Sequence, residues 1–142
     1  MKKYFFLLVD DDTDDSELFE EALREVDDSA IFYHAQNGED ALKKLNEHDL
    51  PAIIFLDINM PRMNGWECLR QLRYNERYRK IPVIMYSTSS HQEEIDIAAS
   101  LGAANFYTKP NSYSGLKKML TNVITTLKEN ASEPMSLALS DS

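Results

Sequence analysis

Short runs of apolar residues recur along the chain and are separated by longer stretches with helical spacing. The runs are rich in β-branched and aromatic residues and do not alternate with polar ones, which is typical of strands buried on both faces of a sheet. Five runs predict five strands: YFFLLV (4–9), AIFYH (30–34), AIIFLD (52–57), PVIMYS (82–87) and the weaker NFYT (105–108).

Between and after these runs, apolar residues recur every three or four positions, which is the spacing of one helix face. The last stripe is the clearest and consists of Leu116, Met119, Leu120, Val123, Ile124 and Leu127. The four earlier stripes are Leu18, Phe19, Ala22, Leu23 and Val26; Ala41, Leu42 and Leu45; Trp66, Leu69 and Leu72; and Ile95, Ala98, Ala99 and Leu101. Strand and helix therefore alternate five times, which predicts a parallel sheet with helices on both faces and right-handed crossovers.

The length and composition indicate one globular domain. The 142 residues suffice for one domain with a substantial core, and 43% of them are hydrophobic. We predict that this domain covers residues 1–130. Residues 131–142 (ASEPMSLALSDS) are mostly small and polar without a strong period, so we predict that they form a mobile C-terminal tail.

The formal net charge of -9 argues against nucleic acid and anionic membrane surfaces as partners, because the field of the molecule repels polyanions. The first apolar run ends in acidic residues after six positions, too soon for a secretory signal, and no later segment has the length of a membrane span. A single cysteine, Cys68, is consistent with a reducing compartment. We therefore predict a cytoplasmic protein.

The first predicted strand runs directly into an acidic cluster, VDDDTDD. Two like charges about 4 Å apart repel by about 4 kcal/mol at an effective dielectric of about 20, so such a cluster needs a cation or a raised pKa. Ligands of open α/β sheets lie beyond the carboxyl ends of the strands. The side chains expected there are Asp10, Asp11 and Asp12 after strand 1, Asp57 at the end of strand 3, Ser87 and Thr88 at strand 4, and Lys109 after strand 5. Hard oxygen ligands with few nitrogens predict Mg²⁺ as the cation.

Part of the acidic run has a simpler interpretation. Acidic residues are common at helix N-termini, where they cap the first turn and interact favourably with the helix dipole. We assign residues 12–15 and Glu17 mainly to that role. His34, His48 and His91 lack the spacing of metal ligands and are predicted to lie at the surface or at a strand edge.

Four segments resemble the receiver domain of two-component response regulators: VDD (9–11), FLDINMPRMNG (55–65), PVIMYS (82–87) and YTKP (107–110). Their order and spacing match over about residues 3–128. The resemblance implies a flavodoxin-like doubly wound fold with five parallel strands in the order 2-1-3-4-5 and five helices. It also implies Mg²⁺-dependent phosphorylation of Asp57 by a phosphohistidine donor.

The same resemblance assigns roles to individual residues. It implies that Asp10, Asp11, Asp57 and the backbone carbonyl of Asn59 hold Mg²⁺, that Lys109 pairs with the phosphate, that Ser87 is the switch hydroxyl, and that Phe106 is the aromatic residue that reports the switch. Thr88 stands where a small residue is usual, which leaves the switch hydroxyl open between Ser87 and Thr88. We expect a cis Lys109–Pro110 bond that aims the lysine at the site.

Few residues follow the last predicted helix, so the expected function is that of a stand-alone response regulator whose output passes through protein contacts. Its expected partners are a sensor histidine kinase or histidine phosphotransfer protein and an unknown downstream protein. Strand 5 and the segment LRYNERYRKIPVIMYSTS are similar to regulators of the cyanobacterial phytochrome-associated type, which implies a homodimer. We expect no enzymatic activity beyond phosphorylation and dephosphorylation of the chain itself.

Two alternatives use the same acidic residues. A phosphorelay intermediate or phosphate sink would only pass on or drain phosphoryl groups. A phosphatase of haloacid-dehalogenase type also begins with a strand followed by D-x-D, here Asp10 and Asp12, but that interpretation leaves LDINMP unexplained. Turnover of a small phosphate ester would distinguish it from a receiver.

Overall fold

Strands and helices alternate along the whole part of the chain that the structure describes. The computed structural model describes residues 4–89 and 91–129. Its elements are β1 (Phe5–Val9), α1 (Thr13–Val26), β2 (Ile31–Ala35), α2 (Gly38–Glu47), β3 (Ile53–Leu56), α3 (Gly65–Tyr74), β4 (Val83–Ser87), α4 (Gln92–Ser100), β5 (Asn105–Thr108) and α5 (Tyr113–Glu129). All five predicted strands and all five predicted helices are confirmed, and the predicted tail at 131–142 lies outside the described residues.

The five strands form one parallel sheet in the order β2-β1-β3-β4-β5. The predicted strand order is confirmed. The chain moves to one side of β1 to form β2 and to the other side to form β3, so β1 and β3 flank the point where the order reverses. Crevices at such a point lie at the carboxyl ends of the strands. The ends of β1 and β3 are therefore where a ligand site is expected.

Each face of the sheet packs against its own layer of helices. Successive strand residues point to opposite faces, so Leu7 joins the core under α2, α3 and α4 while Leu8 joins the core under α1 and α5. The residues of β3 and β4 alternate in the same way and are buried throughout. The continuous apolar runs thus fill two cores, as the sequence pattern predicts.

Two helix faces differ from the predicted stripes. Leu18 is 48% exposed, because α1 faces the sheet with Phe19, Ala22 and Leu23, and Leu18 lies about 100° around the helix from Phe19. Helix α4 buries only Ala98. The prediction that Leu18 lies on the buried face was therefore wrong, and α4 lies more shallowly on the sheet than its stripe suggests.

Three helices begin at an Asp or Asn cap. The side chains of Asp12, Asn37 and Asn64 accept hydrogen bonds from backbone N–H groups three residues further along, at 3.0, 2.9 and 3.0 Å. Such caps satisfy donors that the first helical turn leaves unpaired. The capping role predicted for Asp12 is confirmed. Every helix in the described ranges is too short or too polar to span a membrane.

Candidate functional site

Three carboxylates meet beyond the ends of β1 and β3. Oxygen atoms of Asp10, Asp11 and Asp57 all lie within 4.8 Å of one another. The backbone N–H of Asp10 donates to Ala35 O at 3.0 Å and that of Asp57 donates to Val9 O at 2.9 Å, so the parallel ladders hold both residues in place. Asp10 is fully buried, whereas Asp11 is exposed and forms the open side of the cluster. Three carboxylates around one open position fit a hard divalent cation.

Lys109 enters the cluster from the end of β5. Its ammonium Nζ lies 2.8 Å from Asp10 Oδ2, 2.9 Å from Asp15 Oδ2 and 3.8 Å from Asp57 Oδ2, and its side chain is 11% exposed. The backbone N–H of Lys109 donates to Ser87 O at 2.7 Å, which continues the pairing of β5 with β4. The Lys109–Pro110 bond is trans. The expectation of a cis bond was wrong: with the trans bond, the Lys109 ammonium already lies 2.8 Å from Asp10 Oδ2.

Burial dominates the electrostatics of the cluster. It raises the pKa of Asp57 to about 6, against the opposing charge of Lys109 and with the help of the charge on Asp10. Burial likewise raises the pKa of Asp10, although a hydrogen bond from Lys109 opposes it. Burial also disfavours the charge on Lys109, but its hydrogen bonds to Asp10 and Asp15, together with the negative charges of Asp10 and Asp57, outweigh this and raise its pKa. One ammonium group therefore does not balance the carboxylates, and a bound cation would relieve their repulsion.

The two candidate switch hydroxyls differ in environment. Ser87 is 1% exposed at the end of β4, whereas the side chain of Thr88 is exposed. The backbone N–H of Ser89 donates to Ser87 Oγ at 3.3 Å, and the Ser89 hydroxyl lies 3.5 Å from the same oxygen. Ser89 Oγ also donates to Glu94 Oε1 at 2.5 Å. Ser89 thus connects the Ser87 hydroxyl to the first turn of α4.

Phe106 lies in β5 and Asn59 in the loop after β3. Phe106, in β5, is partly buried in the core under α2, α3 and α4, while the adjacent Tyr107 packs into the opposite core. Asn59 is exposed two residues beyond Asp57, in the loop between β3 and α3. Phe106 thus belongs to the strand that carries Lys109 at its end, and Asn59 to the loop that follows Asp57.

Sequence reasoning missed two contacts of this site. Asp15 was assigned to the helix N-terminus, yet its carboxylate forms an ion pair with Lys109. His34, on the edge strand β2, places Nε2 2.7 Å from the carbonyl oxygen of Asp10, so this ring nitrogen donates to the backbone of a cluster residue. Asp15 lies in the first turn of α1, three residues after the Asp12 cap, and this turn follows directly on the carboxyl end of β1, which is the signal that could have placed Asp15 beside the cluster.

Gly65, the first residue of α3, lies against the backbone of Asp57 and Ile58. Its N–H donates to Ile58 O at 2.7 Å. A Cβ at position 65 would lie 2.2 Å from the carbonyl oxygen of Asp57 and 2.7 Å from Ile58 Cα. Close approach of the helix to the backbone of Asp57 therefore requires glycine here.

Gly65→Ala is expected to lower the free energy of unfolding by about 2–3 kcal/mol, because the added methyl group meets backbone that cannot move without displacing Asp57. Gly38 provides a matched control, since it is also the first residue of a helix that follows an Asn cap. A Cβ at position 38 would lie 2.7 Å from Sδ and 2.9 Å from Cβ of Met63; because this is a side chain whose far end can turn away and not backbone, Gly38→Ala should cost less, about 1 kcal/mol. Urea unfolding of both variants checks this, and equal costs would contradict it.

The fold and the site together define the class of this protein. It is an α/β protein with a five-stranded parallel sheet, acids after β1 and β3, and a lysine after β5. Comparison with known proteins gives the family. The model of the response regulator receiver domain matches residues 6–121, and the chain belongs to this family. It is therefore a receiver domain of two-component signalling.

Individual relatives agree with this assignment. The chemotaxis protein CheY1 of Helicobacter pylori is 33% identical over 92 residues, which cover 65% of this chain and 74% of CheY1. Among solved structures, the phosphorylated cyanobacterial phytochrome response regulator RcpA has a TM-score of 0.79 at 25% identity, covering 86% of this chain and 91% of RcpA. The Mn²⁺-bound form of response regulator Rcp1 shares the fold, with a TM-score of 0.77 at 23% identity over 98% of this chain and 99% of Rcp1.

Proposed function

We propose that this chain is a single-domain response regulator in which Asp57 accepts a phosphoryl group from a phosphohistidine donor in a Mg²⁺-dependent reaction. The observation that carries the proposal is the meeting of Asp57 with two further acids and one partly buried lysine at the carboxyl edge of the sheet. A structural ion pair would need one carboxylate for the lysine. The surplus of carboxylates supports a site that binds a cation and an anionic group together.

Asp57 is suited to act as the nucleophile. Its pKa of about 6 leaves the carboxylate mostly ionised at neutral pH, so that Oδ can attack phosphorus while the bond from phosphorus to the donor's imidazole nitrogen breaks. Bound Mg²⁺ would neutralise the charges of the carboxylate and the phosphoryl group and align them. The ion would be held by the carboxylates of Asp10, Asp11 and Asp57 and by the backbone carbonyl of Asn59. The Lys109 ammonium supplies the second positive charge and pairs with a phosphoryl oxygen.

Ser87 is proposed as the responding hydroxyl and Phe106 as the aromatic residue that follows it. Ser87 is buried at the end of β4, and a hydroxyl there can donate to a phosphoryl oxygen on Asp57 if the following loop moves. Such a movement opens space beside β4, the strand that pairs with β5 and places Phe106 next to Met85. The surface formed by α4, β5 and α5 would then change, which converts a new charge into a change of packing.

The proposed partners follow from this output. The phosphoryl donor is a sensor histidine kinase or a histidine phosphotransfer protein, and the changed surface binds an unknown downstream protein or a second copy of the chain. The likeness to RcpA, at 25% identity, supports a regulator of this kind. We place the protein in the cytoplasm, where such donors carry their phosphohistidines, and the net charge of -9 favours protein partners over polyanions.

Labelling with radioactive acetyl phosphate tests the proposal. With Mg²⁺ the chain should take up one phosphoryl group, stable in acid and labile in base, and a chelator should prevent the uptake. Continuous release of phosphate from small phosphate esters would instead indicate a phosphatase of haloacid-dehalogenase type. Rapid transfer back to a histidine phosphotransfer protein, without any change in protein binding, would indicate a relay intermediate or phosphate sink.

A further inference from the structure

Asp15 binds the lysine of the site without belonging to the acid cluster. The Lys109 ammonium donates to Asp10 Oδ2 at 2.8 Å and to Asp15 Oδ2 at 2.9 Å. Among the residues that the structure describes, the acids close enough together to share a cation are Asp10, Asp11 and Asp57. Asp15 therefore contributes negative charge to Lys109 and no ligand atom to that cation position.

The geometry leaves one ammonium hydrogen for a third partner. An ammonium group has three N–H bonds, and Asp10 and Asp15 accept two of them. Asp57 Oδ2 lies 3.8 Å away, beyond hydrogen-bond distance. The side chain of Asp15 starts from a fixed backbone, because its own N–H donates to the Asp12 cap at 3.0 Å. The first turn of α1 thus determines where the ammonium is held.

Loss of the Asp15 charge would change the partners of the ammonium. With 11% of its side chain exposed, Lys109 cannot turn to water, so the acids left to it are Asp10 and Asp57. Closer contact with Asp57 would occupy oxygens that a divalent cation needs, and two positive charges would then compete for the same carboxylates.

We propose that Asp15 is a positioning residue that holds the Lys109 ammonium to one side of the position formed by Asp10, Asp11 and Asp57, so that lysine and divalent cation occupy the site together. This inference rests on the proposed function, because it takes that cation position to be used. The role differs from the capping role of Asp12, since it acts through the side chain of Lys109.

Cation affinity tests the inference directly. Isothermal titration of Mg²⁺ and of Mn²⁺ into the full chain should show that Asp15→Asn weakens binding about two- to fivefold, the effect expected of a half-exposed ion pair. Asp14→Asn is the matched control, because Asp14 lies in the same helical turn and carries the same charge. Within the described residues, the ion-pair partners of Lys109 are Asp10, Asp15 and Asp57, so Asp14→Asn should report only the general loss of negative charge and have a smaller effect.

A double-mutant cycle separates positioning from general charge. In a Lys109→Met background there is no ammonium to hold, so Asp15→Asn should weaken cation binding no more than Asp14→Asn does. A second measurement does not use the Lys109→Met variant and so does not depend on whether that variant folds. The ¹⁵N resonance of the Lys109 ammonium should move in Asp15→Asn and stay near its parental position in Asp14→Asn.

Different results would overturn the proposed function and the inference about Asp15. A parent chain that binds neither Mg²⁺ nor Mn²⁺ would overturn the proposed function and the inference with it. A parent that binds both cations, together with equal effects of Asp15→Asn and Asp14→Asn on affinity and on the Lys109 resonance, would overturn the inference alone.

Discussion

A chain carrying Asp57→Asn is expected to take up no phosphoryl group from acetyl phosphate, whereas the parent is expected to take up one. The amide of asparagine has the same size as the carboxylate but has no anionic oxygen that can attack phosphorus. The variant should keep its fold, because the amide oxygen of asparagine can still accept the hydrogen bond that Asp57 Oδ1 receives from the N–H of Ile58 at 2.8 Å. Uptake of label in the presence of Mg²⁺, followed over time, measures the loss.

The neighbouring acids provide the control for this loss. Asp14→Asn removes an exposed carboxylate from the same acidic stretch and should be labelled like the parent. Asp10 is buried and hydrogen-bonded to Lys109, so it should not replace Asp57 as acceptor. Parental labelling of Asp57→Asn would show that another residue accepts the phosphoryl group and would contradict the assignment.

The same substitution is expected to raise the free energy of unfolding of the cation-free protein at about pH 7, by roughly 1–3 kcal/mol. Burial raises the pKa of Asp57 from its ordinary 3.8 to about 6 in the folded state. The ionised carboxylate is thus less favourable in the folded chain than in the unfolded one. The cost is absent below the unfolded pKa, grows as the pH rises from the unfolded pKa of 3.8 to the folded pKa of about 6, and is complete above the folded pKa.

Asparagine removes that cost, so its advantage should be full at about pH 7 and much smaller near pH 4. Urea unfolding of parent and Asp57→Asn at both pH values, with a chelator, measures the difference. Asp14→Asn should change the free energy of unfolding by less than about 0.5 kcal/mol at either pH. Saturating Mg²⁺ should stabilise the parent more than the variant and reduce the difference. An equal gain at both pH values would show that the ionisation of Asp57 does not cause it.

The sequence predicts most of the fold because one rule acts on every strand. A strand covered on both sides needs an unbroken apolar run, and the five runs correspond to the five strands of the sheet. The site follows from a second rule of position, since parallel strands carry Asp10, Asp57 and Lys109 to the same edge. Distances along the chain do not matter for this step, so a lysine about 100 residues from Asp10 in sequence could be placed beside it.

The features that escaped prediction depend on a side chain's direction or on a choice between two similar states. A carboxylate in the first turn of a helix looks the same in sequence whether it caps the helix or, like Asp15, reaches a lysine from another strand. Leu18 differs from Phe19 only by a rotation of about 100°. The isomer of the Lys109–Pro110 bond is decided by a small energy difference and by the course of the surrounding chain. None of these choices leaves a periodic signal.

The hydrogen bonds from Ser87 through Ser89 to Glu94 bear on how much output such a protein gives before it is phosphorylated. In a chain that switches through Ser87, the hydroxyl must give up its contacts with Ser89 before it can serve a phosphoryl oxygen. Contacts that exist only in the starting arrangement would favour it, and each 1.4 kcal/mol of such preference would reduce the spontaneous population of the other arrangement about tenfold. Glu94 lies in the first turn of α4, so if Ser87 is the switch hydroxyl, as proposed, background output and the position of that turn would depend on the same two serines.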